Sequence, residues 1–362
     1  MAAVRALTEN DIPAVVALFE RVYPGNRWKS RIACERYLHD VLFSNPWFDP
    51  ELPSWIVEEQ GRATGFAGVV PRPMQFRGDR IRAAVGCLFM VDPDQRKSLI
   101  ALRLVQAALS GPQDLFIADG SNEDARRIWL GAGGSAPLLY SLHWIRLLRP
   151  ARYAFSLVEG LGGIGRAAAA LRAPGALVDA LLARLRPNRF LQRDGGFFDE
   201  ALDAATTSLN LPRFLRGSML HPVYDEPALS WLLGQAALKT RHGDFRARAV
   251  FDRERQLAGW FLYYARQGEI AEVLQVIARH GSFDGVLQQL FFDAWRHGAT
   301  AVRGRLDPAR AQELSDRHCW LRREGPWTLV HSRHAHIVLA IERGGAELSR
   351  LDGEWWLRFL GG

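Results

Sequence analysis

The 362-residue chain holds only three cysteines, Cys34, Cys87 and Cys319, odd in number and far apart. They supply neither a disulfide framework nor a CxxC zinc pattern, which fits a reducing compartment. Lysine is equally scarce: with only Lys29, Lys97 and Lys239, nearly all of the positive charge behind the formal +7 is arginine. Those arginines are interleaved with 39 acids and form no dense basic run, a pattern of solvated faces rather than of a nucleic-acid partner. No uncharged apolar run approaches the roughly 20 residues needed to span a bilayer. The opening MAAVRALTENDIPAVV carries acids where a signal peptide needs an apolar core, so a cytoplasmic protein is expected. What is present is globular, 48% hydrophobic and 23% charged, and the length favours two domains.

Along the first half, AVRALT (3–8) reads as a strand, and Thr8 with Asp11 three positions on forms a partial capping box before a helix. A second helix covers 30–43, an antiparallel pair 54–59 and 64–70, and a longer strand 80–91. A helix stops at Gly111-Pro112, followed by a strand at 114–119, a helix at 122–131 and a final strand at 138–148. Residues 151–187, rich in Ala, Gly and Leu, read as a helical linker. The second half repeats the order. A strand is expected at 189–195, helices at 197–209 and 226–238, and strands at 245–252, 257–266 and 270–278. A helix at 282–298, with Ser282 as cap and Gly298 as stop, leads to 301–306, 308–316, 327–332 and a strand at 335–341. The class is mixed α/β, with hairpins first and a helical crossover later.

Two stretches carry chemistry. DQRKSLIA (94–101) lies between the apolar VGCLFMV (85–91) and the amphipathic LRLVQAALSGP (102–112). A strand, a polar loop and a helix make an anion site, because the first helical N–H groups lack backbone partners and the dipole is positive there. Phosphate loops generally use glycine where the backbone approaches the ligand, and this loop has none. The second stretch is NEDARRIWLGAGG, in which Asn122 is followed by Ala125, Trp129 and Gly133 at +3, +7 and +11.

Together these resemble the GNAT acyltransferase superfamily, whose R/QxxGxG/A loop binds the coenzyme A pyrophosphate and whose later helix carries an Asn…Ala…Tyr…Gly pattern. The motifs cover about residues 3–148; the likeness of 188–362 rests on element order. The resemblance implies two tandem GNAT-like domains, each a central mixed sheet flanked by helices: residues 1–150, a linker 151–187, and a degenerate second domain 188–362. It implies acetyl-CoA or another acyl-CoA as donor and no metal. Arg96, Lys97, Ser98, Leu99, Ile100 and Ala101 would form the pyrophosphate loop, Met90 and Val91 would offer backbone groups to the pantetheine arm, and Asn122 would contact it from the other side. Leu99 stands where the family has glycine, and Trp129 where many members have a tyrosine that reprotonates the thiolate, a task indole does not perform. The second-half loop RHGS (279–282) has no such motif, so that domain is not expected to bind coenzyme A.

A direct transfer needs a base, and AAVGCLFMV has no carboxylate. Asp119, Tyr140 and His143 on neighbouring elements are the catalytic candidates. The bland alternatives are a capped turn for Asp119, packing for Tyr140 and His143, and an N-cap for Asn122. In the C-terminal SRLDGEWW (349–356), Asp352 and Glu354 alternate with aliphatic and aromatic residues, so they would share one strand face, as acceptor ligands or as a solvated edge. The expected reaction moves an acyl group to an amine, on a sugar or cell-envelope precursor. Two other readings stay open: a FemAB-like enzyme using aminoacyl-tRNA, the one route to a nucleic-acid partner, and a non-catalytic ligand- or partner-binding pair.

Three patterns are set aside. GLGGIG (160–165) matches GxGxxG, but Asp179 falls in a helical stretch rather than after a second strand. HSRHAH (331–336) reads as a strand–turn–strand corner without the accompanying ligands of a metal site. The Arg/Leu stripe at 166–185 is read as packing rather than as a membrane-surface helix.

Overall fold

A computed structural model describes residues 3–25, 30–95, 98–159, 190, 192 and 195–354. The first half runs β1 (Ala3–Ala6), α1 (Ile12–Val22), α2 (Arg31–Leu42), β2 (Trp55–Glu59), β3 (Arg62–Phe76) and β4 (Asp79–Val91). It continues through α3 (Ile100–Leu109), β5 (Leu115–Ser121), α4 (Glu123–Gly131), β6 (His143–Leu147) and α5 (Pro150–Glu159). The second half runs β7 (Phe198–Ala201), α6 (Ala204–Phe214), β8 (Leu220–Pro222), α7 (Glu226–Ala237), β9 (Asp244–Phe251) and β10 (Leu257–Ala265). Then come β11 (Ile270–Ala278), α8 (Phe283–Arg296), β12 (Ala301–Arg305), α9 (Ala311–Asp316), β13 (Trp320–Arg322), β14 (Trp327–His331) and α10 (Ala335–Glu342).

The strands build two mixed sheets, in the orders β1-β2-β3-β4-β5-β14 and β13-β6-β12-β11-β10-β9-β7, with β8 pairing β3. Each half thus places strands in the other half's sheet: β6 pairs β12, while β14 pairs β5 and β8 pairs β3. Each sheet contains one parallel pair, and each pair is short. β4 and β5 are in register only at Ala83–Val85 with Leu115–Ile117, and β11 and β12 only at Ile270–Glu272 with Ala301–Arg303. Beyond these contacts the strands part. A bulge accompanies both openings. In β4, Gly68 pairs with Cys87 and Phe66 with Met90, which leaves Leu88 at φ +50°. In β11 the register slips between Leu262 and Tyr263 of its partner. Such bulges bend a strand and locally end its pairing.

One core joins the sheets. Val15, Phe19 and Leu38 of α1 and α2 pack with Leu229 and Leu232 of α7 and with Trp260 and Leu274 of the second sheet. The opposite faces are covered separately: α3 and α4 on the first sheet, α8 on the second, where Val286, Leu287, Leu290 and Phe291 are all buried.

Several local expectations change. Residues 335–341 form α10 rather than a strand, because Ile337, Ala340 and Ile341 at helical spacing face one core. The HSRHAH segment is therefore a strand–turn–helix corner. The helix expected from 197 begins at Ala204, capped by Asp203, whose carboxylate accepts from Thr206 N at 2.6 Å; residues 198–201 pair with β9 instead. The strand expected over 138–148 is a single 3-10 turn at Leu139–Ser141 and then β6. Ser282 occupies the N-cap of α8 without a side-chain capping bond, while Gly298 at φ +81° ends the helix as expected. The strand expected at 189–195, GLGGIG and the Arg/Leu stripe lie wholly or largely outside the described residues. No helix among the described residues is long and apolar enough to cross a membrane.

Candidate active site

Where β4 and β5 part, a cleft of about 280 Å³ opens between them, floored by α3 and α4. Its width follows from small residues. A Cβ on Gly86 would stand 2.8 Å from the Phe116 ring, and one on Gly68 2.5 Å from the Cys87 carbonyl oxygen. Ala108 of α3, Ala118 and Gly120 of β5, and Ala125 of α4 continue the wall, and Trp129 closes it from α4. Trp129 is held by its indole N–H, which donates to Val330 O at 3.2 Å, and by edge contact with Phe116. Its place in the fold is thus structural. Gly134 completes the seat, since a Cβ there would lie 1.8 Å from the indole.

From α3 the cleft takes Val105 and Ala108, while the start of the helix lies outside the lining. Ser98 turns the chain into the helix: its N–H and Oγ both donate to Gln95 O, at 3.0 and 2.7 Å, and its Oγ accepts from Ile100 N at 3.3 Å. Leu99 is 62% exposed and no part of the cleft lining, so its side chain does not narrow the cleft. Ile100 is buried against Val57, Ala67 and Leu104. The helix has no acid in its first turn, which leaves its positive end uncompensated. Arg96 and Lys97 lie outside the described residues. The loop is anchored by Asp92, buried at its start, which accepts from Arg21 Nε at 2.8 Å, Arg62 at 2.6 Å and Asp94 N at 3.2 Å.

Glu354 is the sole carboxylate among the described residues that line the cleft, which also include Tyr23 and Cys87. Glu354 is 6% exposed. Its backbone N–H donates to Asp119 Oδ1 at 2.6 Å, and the other Asp119 oxygen pairs with Arg305 of β12. Gly353 makes that approach feasible, for a Cβ there would lie 1.8 Å from Asp119 Oδ2. The rest of the segment is equally anchored: Arg72 donates to Leu351 O at 2.6 Å, and Arg350 to Glu272 at 2.8 Å. Burial pushes the Cys87 thiol well up, so it stays protonated and is no nucleophile.

The sequence candidates therefore scatter. Met90 and Val91 lie on β4 beyond its pairing with β5, in register with Phe66 and Gly65 of β3. Asn122 lines the cleft and also caps α4, its Oδ1 accepting from Ala125 N at 2.9 Å. Asp119 caps no turn; it faces away from the cleft floor, into the ion pair with Arg305. The Tyr140 hydroxyl donates to Ala346 O at 2.7 Å and accepts from Ala346 N at 2.9 Å. His143 is buried among arginines, and desolvation, followed by their charge, pushes its pKa down to about 3. Asp352 and Glu354 share no strand face and form no solvated edge. Arg350–Asp352 is a 3-10 turn, and both acids are buried because the segment runs between the sheets. Burial, opposed by Arg72, pushes Asp352 up to about 7. Tyr23 and the glycines at 68 and 86 were not singled out from sequence; a Gly on each of two adjacent strands was the available signal. Among the described residues no three His, Cys, Asp or Glu side chains cluster to hold a metal ion, and His334 instead contacts Asp114 at 3.2 Å.

Comparison with known proteins gives three findings. Residues 3–113 match the model of an acetyltransferase (GNAT) domain. No curated protein matches the chain significantly. Among solved structures, the chain resembles a conserved protein of unknown function from Enterococcus faecalis V583, described as a probable N-acyltransferase. The TM-score is 0.58 at 9% identity, over 92% of this chain and 73% of that one. A GCN5-related N-acetyltransferase from Anabaena variabilis ATCC 29413 gives 0.58 at 11%, over 91% and 72%. One from Kribbella flavida gives 0.52 at 13%, over 91% and 70%. At these identities the structural likeness establishes the fold.

Proposed function

We propose that the chain, whose residues 3–113 match an acetyltransferase (GNAT) domain within a two-sheet fold like that of solved GNAT structures, transfers an acyl group from acyl-coenzyme A to an amine. The observation that carries this reading is the cleft at the β4–β5 opening, lined by Asn122 and the buried Glu354 and flanked by α3, which has no acid in its first turn. The residues present suit the donor. The α3 amides and the loop from Arg96 to Ala101 would hold the pyrophosphate, the unpaired stretch of β4 and Asn122 would flank the pantetheine arm, and the glycines leave the arm room. In this reading the backbone beyond the bulge polarises the thioester carbonyl, and positioning supplies much of the remaining rate.

Glu354 takes the proton from the attacking amine in this scheme, a role that general-base catalysis gives about 10²–10⁴ in rate. Tyr23, the phenol lining the same cleft, would protonate the departing thiolate, the task closed to Trp129. The second half walls the acceptor side. The test is calorimetric titration with acetyl-CoA and with S-acetylpantetheine, which lacks the pyrophosphate, followed by thiol release with an amine panel. Micromolar binding of acetyl-CoA, weaker binding of the truncated donor, and a Glu354→Gln variant with unchanged donor affinity but about 100-fold slower turnover are the expected results. Folded protein that binds neither donor would overturn the assignment.

A further inference from the structure

The face of the second sheet that adjoins Asp119 carries an unusual row. Register places Arg305 of β12, His143 of β6 and Arg322 of β13 directly across from one another. The neighbouring row on the same face is Glu272, Arg303, Ile145 and Trp320. Directly opposite residues on adjacent strands have Cβ atoms about 5 Å apart, and like charges so placed repel. Arg350 joins the cluster through Glu272, and Arg323 reaches it from the following loop, where a Cβ on Gly325 would lie 3.9 Å from His143 Cε1.

Charge is not balanced here. The five arginines 303, 305, 322, 323 and 350 meet three carboxylates. Asp119 pairs with Arg305, Glu272 is shared between Arg303 and Arg350, and Glu324 pairs with Arg322. At the centre of the surplus, His143 is 7% exposed and its Nδ1 has no hydrogen-bond partner. A buried polar atom left unpaired is destabilising and calls for a reason. Burial, and after it the surrounding arginines, lower the imidazole's affinity for a proton, so it stays neutral in the free protein. Arg303 and Arg322 are side-chain-exposed by 44% and 43%, whereas Arg305 and Arg350 are nearly covered. The patch is therefore open at one side and walled at the other. Its walled side lies one ion pair from the cleft, because Asp119 binds Arg305 with one oxygen and Glu354 N with the other.

We infer that this row binds an anionic group, a phosphate or a carboxylate, carried by the amine acceptor, with Arg305, His143, Arg322 and Arg303 as its ligands. The inference rests on the acyl-transfer reading for the word acceptor, but the anion site stands or falls by binding alone. Guanidinium forks match both anions, and their charge-assisted bonds are the strong ones. An anion would also give the His143 Nδ1 a partner and offset the surplus charge. The amine end of the same molecule would then lie toward Glu354.

The test uses the full chain saturated with coenzyme A, which occupies the donor's own phosphate contacts. Calorimetry compares glucosamine, glucosamine 6-phosphate and muramic acid, three amino sugars differing in an added phosphate or carboxylate. At least one charged sugar should bind about tenfold or more tightly than glucosamine, and the ratio between the two charged sugars tells phosphate from carboxylate. The paired variant Arg303→Gln/Arg322→Gln, at two half-exposed positions that leave the fold intact by circular dichroism, should erase that preference without changing coenzyme A affinity. Inorganic phosphate should shift one histidine resonance of ¹³C-histidine-labelled protein, the one missing in His143→Gln. Equal binding of all three sugars, a preference that survives in the paired variant, or no movement of the His143 resonance would each overturn the proposal. A protein that binds anions here yet fails to bind acyl-CoA would leave the site standing and remove the transferase reading. Transfer to neutral amines without anion preference would do the reverse.

Discussion

The two sheets open at the same point of their topology, and the chain itself treats the openings differently. In the first, small residues on β3, β4 and β5 hold a cleft between diverging strands. In the second, residues 347–350 run into the corresponding space, leaving only about 40 Å³. Ser349 Oγ accepts from Gln275 at 3.1 Å, Arg350 binds Glu272 at 2.8 Å, and Arg305 donates to Leu348 O at 3.4 Å. A parallel pair that ends after three residues leaves strand edges whose N–H and C=O groups need partners. One opening offers them to whatever enters; the other satisfies part of the need with the chain's own C-terminal segment. The comparison teaches that the splay is a property of the fold, while its availability depends on what packs into it.

The sharpest way to break the contrast is to fill the first opening as the second is filled. Ala125→Trp places a large ring in the cleft from the partly buried face of α4 and should weaken acetyl-CoA binding by about 100-fold or more. Calorimetry on protein of unchanged circular dichroism checks it, and survival of binding would move the donor elsewhere. Next in size, Arg350→Ala should loosen the plug in the second opening. Removing one partner of a buried ion pair costs about 3–5 kcal/mol, toward the low end here because Glu272 keeps Arg303. Urea unfolding should show that loss with acetyl-CoA affinity unchanged in the residual folded protein; a change below about 1 kcal/mol would mean that the segment is not held by this pair.

The segment between the two openings should also respond to pH. Asp352 holds its proton more tightly in the folded chain, with a pKa raised from 3.8 to about 7. Its contribution to stability is therefore greatest below 3.8 and is lost as pH rises from there to about 7. Asp352→Asn should flatten that part of the stability–pH curve by at most about 4 kcal/mol. Thermal melts of the two proteins from pH 4 to 8 compare the slopes, and parallel curves would exclude the effect. The smallest change is expected at Leu99. Because its side chain is 62% exposed, Leu99→Gly should alter acetyl-CoA affinity by less than about threefold, offset partly by the cost of glycine at a helix start. A tenfold gain would mean that the leucine does obstruct the pyrophosphate.

Much of this was legible locally. Thr8 with Asp11, the Asn122 cap and the stop at Gly298 rest on interactions within a few residues, and each is found where the residue pattern placed it. So is the repeated element order. The helix at Ala335–Glu342 was misread because AHIVLAI is apolar nearly throughout, which leaves no period to distinguish strand from helix. Asp352 and Glu354 were assigned the wrong surroundings because alternation describes a strand only if a neighbour pairs with it.

By itself the sequence determined the mixed α/β class, the strand–loop–helix layout around residues 85–112 and the absence of any cysteine framework, all of which rest on composition and short-range spacing. Only tertiary structure decided that β6 and β14 exchange sheets, that one opening stays accessible while the other is filled, that Glu354 reaches the cleft and that Arg305, His143 and Arg322 form one row. The physical reason is that strand pairing and burial join residues hundreds of positions apart. Asp119 meets Arg305 and Glu354 through hydrogen bonds and charge, interactions that leave no mark on the local pattern of any of the three.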